Sequence, residues 1–131
     1  MIILDTCVII SDALDPHRIG DSSKQLIEKC EQKGCLACCD ISLWEITMLV
    51  NKGRLDPGVD AMAFLKLVIA ARKMLVLPIN PEIAHISVSH PNFVHNDPAD
   101  RIIAATAMHY RASLMTFDAR LQKIAGLETI G

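Results

Sequence analysis

The chain reads as a three-layer α/β/α domain built on a central, mostly parallel sheet of about four or five strands. Three observations carry that expectation. Short apolar runs of strand length ("MIIL", "CLACC", "LVLPI", "ASLMTF", "LETI") alternate with longer segments of helical character. That alternation is the pattern of a parallel sheet covered by helices on both faces. No linker, internal repeat or low-complexity tract interrupts the 131 residues, a length that suits one domain, 1–131, with a proper core.

Taken in order, "MIIL" is a buried-strand candidate, and "SDALD" and the segment from about Ser22 to Lys33 follow as helices, the second stopped by Gly34. "CLACC" is the second strand. Ser42 to Lys52 is a helix ended by Gly53, and a longer one spans about Val59 to Lys73 before the strand "LVLPI". Pro81 opens a helix to about Val88, and Pro98 opens one that reaches about Tyr110. "ASLMTF" is a strand, Asp118 to Ile124 a short helix, and "LETI" the final strand.

Hydrophobic residues make up 51% of the chain but aromatic ones only 4%, so the core must rest on Ile, Leu, Val, Ala and Met. The positive mean hydropathy points to apolar surface covered by another subunit. A net charge of -2 offers no general argument for a nucleic-acid partner, though a local basic rim is compatible with it. "MIILDTC" has neither the charged start nor the apolar length of a signal peptide. Lys66, Arg72 and Lys73 break up the most hydrophobic window, which argues against a membrane span. A cytoplasmic protein is expected.

Cys30, Cys35, Cys38 and Cys39 raise the question of zinc. On a strand, adjacent Cys38 and Cys39 point to opposite faces, and no second C-x2-C or histidine pair lies near. Small buried hydrophobes are the expectation. His17, His85, His90, His95 and His109 show no ligand spacing. Neither a G-x-G-x-x-G after a strand nor a G-x4-G-K-[ST] occurs, which excludes the usual nucleotide folds.

Four acids recur in one kind of place. Asp5 follows "MIIL", Glu45 lies just beyond "CLACC", Asp100 stands in the first turn after Pro98, and Asp118 follows "SLMTF". Functional groups in open parallel sheets gather outside the carboxyl ends of the strands. Each acid alone also reads as a cap: Asp97 as N-cap with Asp100 at N3, and "SLWE" as a capping box with Ser42 as cap and Glu45 at N3. Asp100, however, begins the face carried on by Ile103, Ala104, Ala107 and Met108, and Glu45 shares a side with Met48 and Leu49. Carboxylates converging to about 4 Å cost about 1 kcal/mol per pair in water and about 4 at an effective dielectric near 20. Either some take up protons or a cation sits among them, and an all-oxygen site suits Mg²⁺ or Mn²⁺.

The joint pattern of "ILDTCVII", "ISLWEI" with "NKGRL", "HNDPADRIIAATA" and "LMTFD" resembles the PIN-domain family, in particular its small VapC-like toxins. The likeness runs nearly end to end. It implies an endoribonuclease that uses divalent metal to hydrolyse RNA phosphodiesters, in which Asp5, Glu45, Asp100 and Asp118 match the family's acids. Asp5 and Asp100 are then the direct ligands, with Glu45 ligating or orienting water and Asp118 completing a second metal site. Asp97 organises the start of its helix, and Thr6 and Thr116 match hydroxyl positions that hold the acids. Cys7 stands where relatives often carry a small polar residue. The resemblance also implies an antitoxin that inhibits by placing a basic side chain in the acidic cleft, and products with 5′-phosphate and 3′-hydroxyl ends.

Arg101, Lys52, Arg54, Arg120 and Lys123 are candidates for a phosphate-binding rim or a plain solvated surface. The Val59–Lys73 helix is core or a surface for an antitoxin or for the second subunit of a homodimer. Two other readings are open. One is a PIN-like binding module without cleavage, which the four intact acids oppose. The other is aspartyl-phosphate transfer, for which Asp5 lacks the D-x-D-x-T partner and any acidic neighbour.

Overall fold

The structure, a computed structural model, describes residues 1–93 and 97–131. Strands β1 (Ile2–Leu4), β2 (Leu36–Cys39), β3 (Leu75–Leu77), β4 (Ser113–Met115) and β5 (Thr129–Ile130) form one sheet in the order β3-β2-β1-β4-β5. Every pairing is parallel. The helices are α1 (Thr6–Leu14), α2 (Asp21–Gln32), α3 (Asp40–Asn51), α4 (Ala61–Arg72), α5 (Pro81–Ser89), α6 (Pro98–Tyr110) and α7 (Ala119–Gln122), with a 3₁₀ turn at Pro16–Arg18. His95 and the "HN" of the "HNDPADR" motif lie outside the described residues.

The strand register divides the apolar residues between two cores. Ile3, Ala37 and Leu114 lie in one row across the sheet and face Ile83, Ile103, Ala104 and Leu121 of α5, α6 and α7. Leu4, Cys38 and Met115 form the next row and face Val8, Ile27, Ile46 and Phe64 of α1 to α4. These two rows are the outer layers' anchorage, and they explain why the runs are apolar throughout. Cys38 and Cys39 fall in different cores, as expected, and burial pushes their thiols up to about 11 and about 12. Both are small hydrophobes in practice.

Helix starts are where the structure departs from expectation. The first helix begins at Thr6, not at "SDALD", because Asp5 caps it: its Oδ1 accepts the Thr6 N–H at 2.8 Å. The β-branched stretch Val8 to Ile10 is therefore helical, with Val8 and Ile9 buried against the sheet. The third helix begins at Asp40, two residues before Ser42, directly where β2 ends. The expected capping box is consequently absent: Cys39 is the N-cap position and supplies no side-chain bond, Ser42 lies inside the helix, and Glu45 a turn further on. By contrast, α6 runs from Pro98 to Tyr110 as read, with Asp97 capping the Ala99 and Asp100 N–H groups.

Because β2 and β3 lie on one side of β1 while β4 and β5 lie on the other, the direction in which successive strands are added to the sheet reverses at the β1–β4 pair. Such a switch point opens a crevice at the carboxyl ends of the strands.

Candidate active site

A cleft of ≈ 450 Å³ lies at that place, lined by Asp5, Thr6, Glu45, Asp97, Asp100, Asp118 and both Arg18 and Arg120, with Cys7, Leu49 and Phe117 completing the wall. Each acid arrives by a different route. The end of the central strand carries Asp5, the second turn of α3 carries Glu45, the first turn of α6 carries Asp100, and the residue capping α7 is Asp118.

Asp5 is the most firmly held. Besides the Thr6 N–H on Oδ1, its Oδ2 accepts the Thr116 hydroxyl at 2.7 Å. Thr116 in turn accepts the Asp118 N–H at 3.0 Å, so one hydroxyl ties the loop after β4 to the carboxylate after β1. Burial raises the Asp5 carboxyl above its ordinary range, against the lowering effect of those two donors. Thr6 performs the matching task for Glu45: its hydroxyl donates to Oε1 at 2.6 Å. The Thr6 hydroxyl has one proton to give, so the 2.9 Å contact with Ser42 is donated by the serine. Ser42, buried completely, is thus the far end of a Ser42–Thr6–Glu45 chain.

Asp100 has the opposite surroundings. Its carboxyl is pushed up to about 7, first by burial and then by Asp97, Asp5, Asp118 and Glu45. Arg120 comes near, with Nη2 at 3.4 Å from Asp100 Oδ2 and 2.9 Å from Asp118 Oδ2. Its side chain is 61% exposed, however, and water screens its charge. Five carboxylates against two guanidiniums leave the cleft strongly electronegative. The donor set is all carboxylate oxygen, the chemistry a hard divalent cation takes, although among the described residues no three of the acids are placed to hold one as they stand.

Comparison with known proteins agrees with this fold. The family model described as PIN domain matches residues 2–127. The chain belongs to the PIN-domain family. It is 30% identical over 121 residues to Ribonuclease VapC22 of Mycobacterium tuberculosis, covering 92% of this chain and 89% of that protein. Among solved structures it is similar in fold to DNA-bound VapBC from Salmonella typhimurium, with a TM-score of 0.76, 18% identity, and 98% and 96% of the two chains covered. VapBC2 from Rickettsia felis, bound to a DNA fragment from its promoter, gives 0.74 at 18% identity over 99% and 98% of the chains.

In this PIN domain the four acids read from the sequence share one cleft with Thr6, Asp97 and Arg120, and Thr116 lies buried directly behind Asp5. The other basic candidates are elsewhere. Arg101 turns away to the end of α5, where its Nε donates to the Ser87 carbonyl at 2.7 Å and Nη2 to that of Val88 at 3.2 Å. Those carbonyls belong to a helix end and need donors, which decides the matter for Arg101. Lys52 and Arg54 are exposed at the far end of α3 and line no part of the cleft, and Lys123 is likewise absent from its wall. Cys7 does line it, but burial and the charges of Asp5, Glu45 and Asp100 raise its thiol, which keeps it protonated and poorly nucleophilic.

Arg18 and Phe117 line the cleft without a sequence signal of their own. Ser42, buried behind Thr6, imitates a cap in the sequence, whereas its helix starts two residues earlier. Arg18 follows a proline turn with no motif around it, and only the fold brings it beside Phe117.

Proposed function

We propose that this chain is a metal-dependent endoribonuclease, the toxin of a toxin–antitoxin pair, and that Asp5, Glu45, Asp100 and Asp118 hold the Mg²⁺ (or Mn²⁺) it needs. The observation that carries this reading is that the four carboxylates line one cleft, in which burial first and the neighbouring acids second raise Asp100 to about 7. A site of that kind is at odds with itself until a cation arrives. Family membership and the likeness to a protein named as a ribonuclease support RNA as the substrate.

A divalent ion bound there would polarise the scissile phosphate and lower the pKa of a water. The chain's own residues do the rest. Thr6 N–H and the Thr116 hydroxyl fix both oxygens of Asp5, and the Ser42–Thr6 chain fixes Glu45, which orients the attacking water. Asp97 sets the first turn of α6 and so the position of Asp100. Attack by water requires no 2′-hydroxyl, so the products carry 5′-phosphate and 3′-hydroxyl ends.

The chain functions as one domain over residues 1–131, as a homodimer, in the cytoplasm, where its five cysteines stay reduced thiols. None of the helices among the described residues is long and apolar enough to cross a membrane. A cognate antitoxin closes the cleft with a basic side chain, and the exposed Met62 and Leu67 of α4 offer apolar surface to that partner or to the second copy.

The deciding experiment incubates the partner-free protein with total RNA and Mg²⁺ or Mn²⁺, alongside Asp5→Asn and Asp100→Asn. Discrete, metal-dependent cleavage that both variants lose is expected. Cleavage by either variant at the wild-type rate, or a 2′,3′-cyclic phosphate end, overturns the reading.

A further inference from the structure

Two arginines line the cleft, and they are held in different ways. Arg120 is committed to carboxylates: besides the Asp100 and Asp118 contacts, its Nε donates to Asp118 Oδ1 at 3.3 Å. Arg18 has no carboxylate partner among the described residues. Its guanidinium carbon stands 5.4 Å from the centroid of the Phe117 ring. It lines the cleft together with Cys7 and Phe117, the residues next in sequence to Thr6 and to Asp118.

An aromatic face restrains a guanidinium through its quadrupole and leaves the N–H fork unspent, whereas a carboxylate would occupy it. A planar fork of free donors beside an acidic cleft matches one ligand chemistry well, the phosphodiester, which it can grip bidentately. The cleft also needs such a group. Five carboxylates repel a polyanionic strand, and the basic side chains Arg101, Lys52 and Arg54 do not face it. With Arg120 engaged by two acids, Arg18 is the cleft cation whose donors have no carboxylate partner among the described residues.

We infer that Arg18, seated on Phe117, is a subsite for a phosphate of the RNA strand flanking the scissile linkage. The inference rests on the nuclease reading and extends it to a residue that positions substrate. It predicts a contact that strengthens strand binding equally before and during the reaction, so KM responds and kcat does not.

The test measures binding of an oligouridylate by anisotropy at several salt concentrations, in an Asp100→Asn background so that the strand is not cut, and steady-state cleavage in the otherwise wild-type chain. Arg18→Ala should weaken binding about tenfold, as loss of a charge-assisted contact does. It should also lower the slope of log K against log salt by about 0.7, the value for one phosphate on a single strand. Arg18→Lys should keep the slope while losing part of the affinity, because the charge stays and the fork goes. Lys66→Ala, an exposed change on α4, should leave the slope as it was. Arg18 is exposed, so its variants should fold. An unchanged slope and KM in Arg18→Ala, with cleavage intact, overturns the subsite and leaves the nuclease standing. An equal loss of slope in Lys66→Ala overturns it too, since bulk charge would then be the cause. Failure of the unaltered chain to cut any RNA brings down the nuclease reading first, and the subsite with it.

Discussion

Arg72 and Arg120 each bridge two acids, yet the two clusters do opposite things. Arg72 joins three helices: Nε and Nη2 grip Asp12 of α1 at 2.9 Å each, and Nη1 reaches Glu31 of α2 at 3.5 Å. The grip on Asp12 is a planar two-point fit, and the pairing leaves little charge unanswered. In the cleft, Arg120 answers Asp118 well, Asp100 weakly, and Asp5 and Glu45 not at all. The first cluster is a fastening between helices. The second is a shortage of positive charge maintained by the fold, one that the proposed cation would answer. Changing one residue in each should therefore separate stability from activity.

The largest effect expected is on cleavage. Asp100→Asn should lower the metal-dependent rate about a thousandfold, equivalent to roughly 4 kcal/mol of barrier, if the carboxylate holds the cation. A rate within tenfold of the unaltered chain, measured at saturating Mn²⁺, would remove Asp100 from the site.

The same substitution should act on stability in the other direction. A carboxyl raised from 3.8 to about 7 on folding holds its proton in the folded chain over a range where the unfolded chain has lost it. Folding is therefore opposed progressively as pH rises from about 4 to 7, and the penalty is complete above 7. Metal-free protein should be less stable at pH 8 than at pH 5, by on the order of 2 kcal/mol from this group after discounting for solvent screening. Asp100→Asn should remove most of that difference. Urea titrations at both pH values in EDTA check it, and a variant as pH-dependent as the parent would refute the charge shortage at Asp100.

Arg72→Met should show the converse. Loss of the two-point contact leaves Asp12, only 9% exposed in its side chain, without its partner, and should cost about 1–2 kcal/mol. Cleavage per folded molecule should stay as it was, because nothing at that cluster faces the acids. A fall in specific activity matching that of Asp100→Asn would show that the two clusters are not independent.

The contrast also explains what could be read without coordinates. The start of helix α6 was legible because "DPADR" carries its own signals: a capping aspartate, a proline at the first position, and an apolar face that begins with Asp100. The strands were legible as runs, and their parallel pairing followed from alternation with helices, but their order in the sheet did not. Helix α3 was misplaced because Ser42 and Glu45 imitate a capping box so well, whereas the helix in fact starts at the strand's end with no side-chain cap. The resemblance implies that Thr6 holds an acid, but which one, Glu45 across 39 residues of sequence, only the fold shows. Arg18 and Phe117 were beyond reach for a related reason. A contact between residues about a hundred positions apart has no local signal, and neither side chain has a spacing that marks it.

Arg120 itself carries the smallest expected effect, and a diagnostic one. Its guanidinium lies against Asp100 and Asp118, two of the oxygens' owners that the proposed cation would need. If it stands in for that cation, Arg120→Ala should tighten Mn²⁺ binding a few-fold, and the gain should shrink as salt rises, since an exposed pair is readily screened. If instead it holds Asp118 in place for the metal, the same variant should bind Mn²⁺ more weakly, and raising salt should weaken the parent in the same sense. Calorimetric titration of both proteins at low and high salt distinguishes the two. Tighter binding would mean that the cleft's shortage of positive charge is partly concealed by a movable side chain. Weaker binding would make Arg120 a fastening after all, closer in kind to Arg72.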